Sequence, residues 1–391
     1  MAEHLAPGAP LIAETGGLNA MIVDSTALPE QAVQAIVESA FQSAGQRCSA
    51  LRCLYVQDDI AEDFTRMLKG AMDVLEVGPS WPISTDCGPV IDALARDGIA
   101  AHIQEARAEG RLVHELLAPN AGTFIAPTLI RVNGIQDMER EIFGPVLHMA
   151  TFGSGDLDKV IGAINATGYG LTFGLMTRID DRVQHVTERV EAGNIYVNRN
   201  QIGAIVGSQP FGGEGLSGTG PKAGGPHYLT RFTARPAEVE GTAWGAEMST
   251  ANAQKALDRV AAEPRLPRQD RLMPGPTGES NRLTTHMRAP LLCMGPGTEA
   301  ASAQAQAVRL LGGRAVEASG QINPEALETL GNLSGALWWG DADTARACSE
   351  ALSRRSGPIL PLITGMPDTG HALYERHVCV DTTAAGGNAA L

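Results

Sequence analysis

The feature that most constrains this chain is a repeated switch between helical and strand periodicity over residues 11–234. Val33, Ile36, Val37, Ala40, Phe41 and Ala44 recur at three- and four-residue spacing, so a helix from Pro29 to about Ala44 would carry them on one face. Pro29 suits its first turn and Gly45 its end. The strand-like Leu51-Arg52-Cys53-Leu54-Tyr55-Val56 follows. A second helix is expected over roughly 60–75, with Ile60, Phe64, Met67, Leu68, Ala71, Met72 and Leu75 on its apolar side. Further helices near 157–166 and 181–191 each precede a strand, at 171–175 and 194–198. This alternation predicts an α/β fold, a mostly parallel sheet with helices packed on it.

The texture changes after residue 234. Residues 235–288 read as a connector, because 265–288 is rich in Pro, Gly, Arg and Asn and has no apolar period. A second alternation over 289–375 predicts another α/β domain. Its elements are strands at 290–295, 314–318, 335–340 and 358–363, with helices running to about Leu311, near 324–330 and over 341–354. Gly295-Pro296-Gly297-Thr298-Glu299-Ala300, with Glu317 ending the next strand, has the layout of a dinucleotide fingerprint. Pro296 removes a donor the pyrophosphate would use, so a structural role is favoured there. Residues 376–391 form a tail whose Asp381–Asn388 part is small enough to pack closely.

A chain of 391 residues can bury two sizeable cores. Its net charge of −14 disfavours nucleic acid, which needs a basic footprint. No apolar run approaches the roughly 18 residues of a membrane span, and the N-terminus has no basic and apolar signal regions. The six cysteines are scattered without metal-type spacing, so they read as reduced thiols in a cytoplasmic protein with no metal site.

Two positions invite chemistry. Cys48 follows Arg47 in a turn bounded by Gly45, where positive potential would favour the thiolate. Glu14 precedes Gly16 and Gly17, which by itself describes an ordinary turn acid as well as a base.

Six motifs in order resolve that choice: Glu14-Thr15-Gly16-Gly17, Gly45-Gln46-Arg47-Cys48, Glu141-Ile142-Phe143-Gly144-Pro145-Val146, Tyr169-Gly170-Leu171-Thr172, Gly193–Asn198 and Pro210-Phe211-Gly212-Gly213. Residues 11–234 thereby resemble the catalytic half of the aldehyde dehydrogenase superfamily. The resemblance implies that Cys48 attacks the aldehyde to give a thiohemiacetal and then a thioester. Glu14 would activate the hydrolytic water, and the Cys48 backbone N–H would supply an oxyanion donor. It further implies NAD as cofactor, with Glu141 and Phe143 at the nicotinamide ribose and Thr15 and Gly16 beside the cofactor.

The run Gly215–Pro226 is similar to the substrate-anchoring loop of glutamate-γ-semialdehyde (pyrroline-5-carboxylate) dehydrogenases. Asn198–Gln201, Pro274–Asn281 and Arg376–Asn388 resemble the bifunctional proline utilization A family, whose other activity uses FAD. The expected substrate is therefore L-glutamate γ-semialdehyde. Gly224 and Gly225 would bring bare N–H groups to its α-carboxylate. Ser49 would donate a hydroxyl there, and Phe211 and Phe41 would sandwich the aliphatic stem; a core role for Phe41 is an equal alternative. On this resemblance the N-terminal NAD-binding domain and the flavin portion are absent, and residues 1–10 are a leader outside the family pattern. The intact enzyme would be a homo-oligomer, and this chain alone would turn over little. The alternative is a non-enzymatic scaffold, or a fragment complementing a separate N-terminal piece.

Overall fold

The computed structural model describes residues 2–233, 235–237, 242–264 and 267–383. The part of the small-residue tail beyond Thr383 lies outside the described residues. The chain forms two compact units, one of residues 15–209, 273–281 and 377 onward, the other of 1–14, 210–272 and 282–376.

The first unit holds β1 (Ala20–Val23), α1 (Pro29–Phe41), β2 (Cys53–Gln57), α2 (Asp58–Asp73), α3 (Ala93–Ala108), β3 (Leu112–Glu115), β4 (Thr128–Arg131) and β5 (Val146–Phe152). It continues with α4 (Leu157–Ala166), β6 (Tyr169–Gly170), β7 (Thr172–Met176), α5 (Asp180–Arg189) and β8 (Asn194–Val197). The sheet order is β3-β4-β5-β2-β1-β7-β8, parallel except for β3 against β4, and His377–Val380 runs parallel beside β8. Both faces of the central strands are buried. Ile22, Tyr55 and Leu175 face one core, while Met21, Val23, Leu54 and Val56 face the other. That two-sided burial is why these strands read as continuous apolar runs.

Helix α1 stops at Phe41, three residues before the expected end. A 3-10 turn follows, in which Ser43, Ala44 and Gly45 all take left-handed φ of 57°, 53° and 65°. A left-handed residue other than glycine costs about 1–2 kcal/mol, so two in succession end the helix and store strain just before Cys48. Gly45 has a further reason to be glycine: a Cβ there would stand 2.1 Å from the Gly144 carbonyl oxygen.

The second unit begins with β9 (Glu214–Gly215). The supposed connector then contains α6 (Thr250–Ala261), β10 (Pro267–Met273) and β11 (Glu279–Met287). The stretch is therefore structured, contrary to the sequence reading. Beyond it lie β12 (Leu291–Cys293), α7 (Gly297–Leu310), β13 (Ala315–Glu317), β14 (Gly335–Leu337), α8 (Ala342–Ser353), β15 (Leu362–Ile363), α9 (Thr369–Ala372) and β16 (Leu373–Asp381). The expected helix near 324–330 is a 3-10 turn, Pro324–Glu328. Unit boundaries fall at the end of β10 and within β11 and β16. The parallel order β13-β12-β14-β15 makes the predicted second α/β sheet.

Its glycine pattern is filled by protein. A Cβ on Gly297 (φ +75°) would lie 2.1 Å from the Thr242 carbonyl oxygen, and one on Gly295 would lie 3.3 Å from the Trp244 ring. Buried Gln304 takes both backbone groups of Gly295, donating to its oxygen at 2.8 Å and accepting from its nitrogen at 3.0 Å. Glu317 is bound by Ser302 and Arg309. The glycines at this helix start thus pack against residues 242–244 of the same unit.

Candidate active site

Cys48 sits in the short turn between the left-handed 42–45 segment and β2. The turn is pinned from below. Buried Asn19 donates through Nδ2 to the carbonyls of Cys48 (2.7 Å) and Ala50 (2.9 Å), and its Oδ1 accepts from the Thr172 N–H at 3.1 Å. The Ser49 carbonyl accepts from Thr172 Oγ1 at 3.2 Å and from Gln201 Nε2 at 3.3 Å. Of the six cysteines Cys48 alone is not buried. Burial raises the pKa of the other five, to about 11 for Cys87 and about 12 for Cys293, Cys348 and Cys379.

Directly beneath lies Arg52, with no exposed surface. Its Nη1 donates to the carbonyls of Gly45 (2.7 Å) and Gly144 (3.3 Å), and its Nη2 to that of Arg47 at 3.1 Å. Nε and Nη2 both reach Glu141 Oε1, at 3.1 and 3.0 Å. The guanidinium carbon lies 5.1 Å from the centre of the Phe143 ring, in cation–π range. Burial lowers the Arg52 pKa, opposed first by Glu141 and also by Cys48, so the thiol lies within electrostatic reach of this cation. The other Glu141 oxygen accepts from the Gly17 N–H at 3.2 Å, and a Cβ on Gly16 would stand 2.5 Å from it. The expected cofactor residues Gly16, Glu141 and Phe143 thus share one face, with Phe143 44% exposed. Thr15 adjoins them in sequence.

Glu14 belongs to the other unit, as the last residue of its 1–14 segment. Its Oε2 accepts from the Gly213 N–H at 3.1 Å, and its backbone bridges Gly218. Surrounding protein desolvates the carboxyl and raises its pKa, while the Gly213 hydrogen bond and the charge of Lys222 pull the other way. Lys222 is fully buried. Its Nζ donates to the Gly212 carbonyl at 2.5 Å and its N–H to Glu375 Oε2 at 2.8 Å. Burial brings the Lys222 pKa down to about 8. Phe211 exchanges both backbone hydrogen bonds with Ala223, at 3.0 and 2.8 Å, which draws the 211–213 and 222–225 loops together. Gly225 spends its N–H on the Lys222 carbonyl at 3.0 Å, whereas Gly224 is exposed, left-handed at φ +71°, and has open space where a Cβ would stand.

Two of the expected substrate residues are buried. Phe41 is 2% exposed and packs in the α1 core with Ile36 and Leu51, so its aromatic ring serves the fold. Ser49 is likewise buried, and its carbonyl is already engaged by two donors. The pattern reading missed Arg52, Asn19 and Lys222. A charged or polar residue that is buried inside a strand or loop gives no periodic signal. A cavity of about 730 Å³ in the second unit, between residues 5–11 and the Leu352–His371 region, is lined by none of the expected site residues.

Residues 1–236 match the Aldehyde dehydrogenase family. The chain belongs to that family. Among its relatives is the bifunctional protein PutA of Salmonella typhimurium, 42% identical over 439 aligned residues that cover 98% of this chain and 33% of the relative. The 1-pyrroline-5-carboxylate dehydrogenase of a Geobacillus species is 39% identical over 222 residues, 56% of this chain and 43% of that one. This member of the family therefore spans about a third of the PutA relatives' length. In structure it resembles a mutant of Bradyrhizobium japonicum proline utilization A (TM-score 0.56, 54% identity, 57% of this chain and 23% of that chain). It also resembles the Thermus 1-pyrroline-5-carboxylate dehydrogenase solved with bound NAD (TM-score 0.54, 36% identity, 59% and 46%). Among the described residues no helix is long and apolar enough to cross a membrane, and no group of three or more His, Cys, Asp or Glu is placed to hold a metal.

Proposed function

We propose that this chain carries the thiol chemistry of an NAD-dependent dehydrogenase that oxidises L-glutamate γ-semialdehyde to L-glutamate in proline catabolism. The observation that carries this reading is the single accessible thiol, Cys48, set in a strained and pinned turn of an aldehyde dehydrogenase. The Cys48 thiolate adds to the aldehyde carbon, forming a C–S bond and an alkoxide. NAD, when bound, would supply the hydride acceptor, so that loss of hydride from this carbon would leave a thioester on Cys48. Glu14 takes a proton from water, which attacks the thioester carbon and expels the thiolate. The raised pKa of Glu14 suits a base working near neutral pH.

The residues present fit the cofactor. Glu141 offers carboxylate oxygens suited to ribose hydroxyls and Phe143 an exposed apolar ring, with Thr15 and Gly16 alongside. Four residues provide few contacts for a dinucleotide, so these 391 residues assayed alone are expected to form NADH slowly. For the substrate, Gly224 would meet the α-carboxylate and Phe211 the stem; Gly225 would have to release or share its present N–H bond to join them, and Ser49 would have to present a hydroxyl that is buried with its residue.

A test that needs no NAD is protection of Cys48 from alkylation, read by mass spectrometry of its peptide. Glutamate semialdehyde should protect at lower concentration than an aldehyde of the same length without the α-carboxylate. Equal protection by both would remove the substrate assignment. G224A refines it. The added methyl meets nothing within 4 Å, and its positive φ costs about 1–2 kcal/mol. Alanine keeps the N–H, but its methyl stands in the open space through which the α-carboxylate would approach. The protecting concentration of semialdehyde should therefore rise about tenfold, the worth of one charge-assisted hydrogen bond blocked in this way, with that of the carboxylate-free aldehyde unchanged. An equal change for both aldehydes would show that Gly224 acts only on the fold.

A further inference from the structure

One guanidinium touches both halves of the first unit's chemistry. Five Arg52 hydrogen bonds tie the carbonyls of Gly45 and Arg47, on the approach to Cys48, to the Glu141 carboxylate and the Gly144 carbonyl. Phe143 stacks on the same group. The bonds to Gly45 and Arg47 reach the left-handed segment itself, where two residues other than glycine hold strained φ. Such a conformation persists only when its surroundings over-determine it.

We infer that Arg52 is a positioning residue that sets the Cys48 turn and the Glu141–Phe143 face together, so that the reactivity of Cys48 depends on the charge of Glu141. The inference rests on the reading of Cys48 as nucleophile. Its physical content is a shared cation. Arg52 favours a negative charge on Cys48, and Glu141 partly neutralises Arg52 through a charge-assisted pair at 3.0 Å. The third nearby charge, Arg47, is turned toward Ser43, donating through Nε to Oγ at 3.2 Å. Weakening the pair from either end must then move Cys48 in opposite directions. Losing the cation disfavours the thiolate, and losing the carboxylate leaves the cation uncompensated.

The experiment measures the pH dependence of iodoacetamide alkylation at the Cys48 peptide in the full chain, without aldehyde or NAD. R52M should raise the midpoint by about one pH unit, R52K should restore part of that shift, and E141Q should lower it, since a neighbouring charge moves a thiol by such amounts. Circular dichroism and a cooperative melt establish that each variant is folded. Unchanged midpoints, or shifts of R52M and E141Q in the same direction, would overturn the inference. If R52M does not fold, E141Q decides alone, because Gln removes the charge and keeps one oxygen as acceptor for Arg52, giving up the acceptor that the Gly17 N–H uses; no downward shift would be the refuting result. The dehydrogenase reading fails separately, through an aldehyde that gives Cys48 no protection in the unsubstituted chain, or through turnover that survives loss of Cys48.

Discussion

Replacing Cys48 with alanine is expected to abolish hydrolysis of an activated ester such as p-nitrophenyl acetate, a loss of at least about 10⁴-fold against the unsubstituted chain, along with the slow NADH formation expected of it. No other thiol can substitute. Cys53, Cys87, Cys293, Cys348 and Cys379 are buried, and burial holds each in its neutral, non-nucleophilic form. The substitution should barely touch stability. Cys48 lies in a half-exposed turn, and the Asn19 bond that fixes its carbonyl is made to the backbone, which alanine retains. The melting temperature should therefore move by no more than about two degrees, as for a surface change within ±0.5 kcal/mol. Ester hydrolysis persisting in C48A at the original rate would place the nucleophile elsewhere and end the proposal.

How far the sequence carried this reading depended on what each segment buries. Strands β2, β7 and β8 bury both faces in apolar side chains, so their positions were legible, and α4 lies at the residues expected of it. Strand β11 was not. Its inward positions are Asn281, Leu283, Thr285 and Met287, so half of the alternating set is polar and the period of two disappears. Strand β10 is polar along Arg268-Gln269-Asp270-Arg271, with Asp270 paired to Arg282 of β11, and such a stretch resembles a loop. Helix α6 buries only Ala253 and Leu257, too narrow a stripe to announce itself. Of the candidate site residues, the motifs named Cys48, Glu14, Glu141 and Phe143. The groups that hold them were hidden because their work is done by burial. Arg52 looked like an interruption in a strand, and Lys222 like one residue of a glycine-rich loop.

The second large effect concerns Glu14. In E14Q, acylation of Cys48 by p-nitrophenyl acetate should proceed, while release of acetate should slow by about 10²–10⁴-fold, the usual worth of a positioned general base. The trace should become a burst of one equivalent followed by a near-flat line, with the acetyl group found on the Cys48 peptide. Glutamine keeps an oxygen for the Gly213 N–H, so the loop that presents residue 14 should survive. The pH dependence follows from the same surroundings. Desolvation is the largest influence on Glu14 and raises its pKa; Gly213 and Lys222 oppose it, and Glu214 adds to it. A base must be ionised to work, so wild-type deacylation is present at neutral pH and lost as pH falls through a midpoint above the ordinary carboxylate value of 4.5. Lys222 adds a second inflection. Its pKa lies at about 8, and above that pH its charge no longer favours the ionised form of Glu14. Glu14 is already ionised there and becomes the stronger base, so the deacylation rate should rise again modestly through pH 8. In E14Q both inflections should vanish together. An acid limb persisting unchanged in E14Q would assign the titration to another group and remove Glu14 from the role of base.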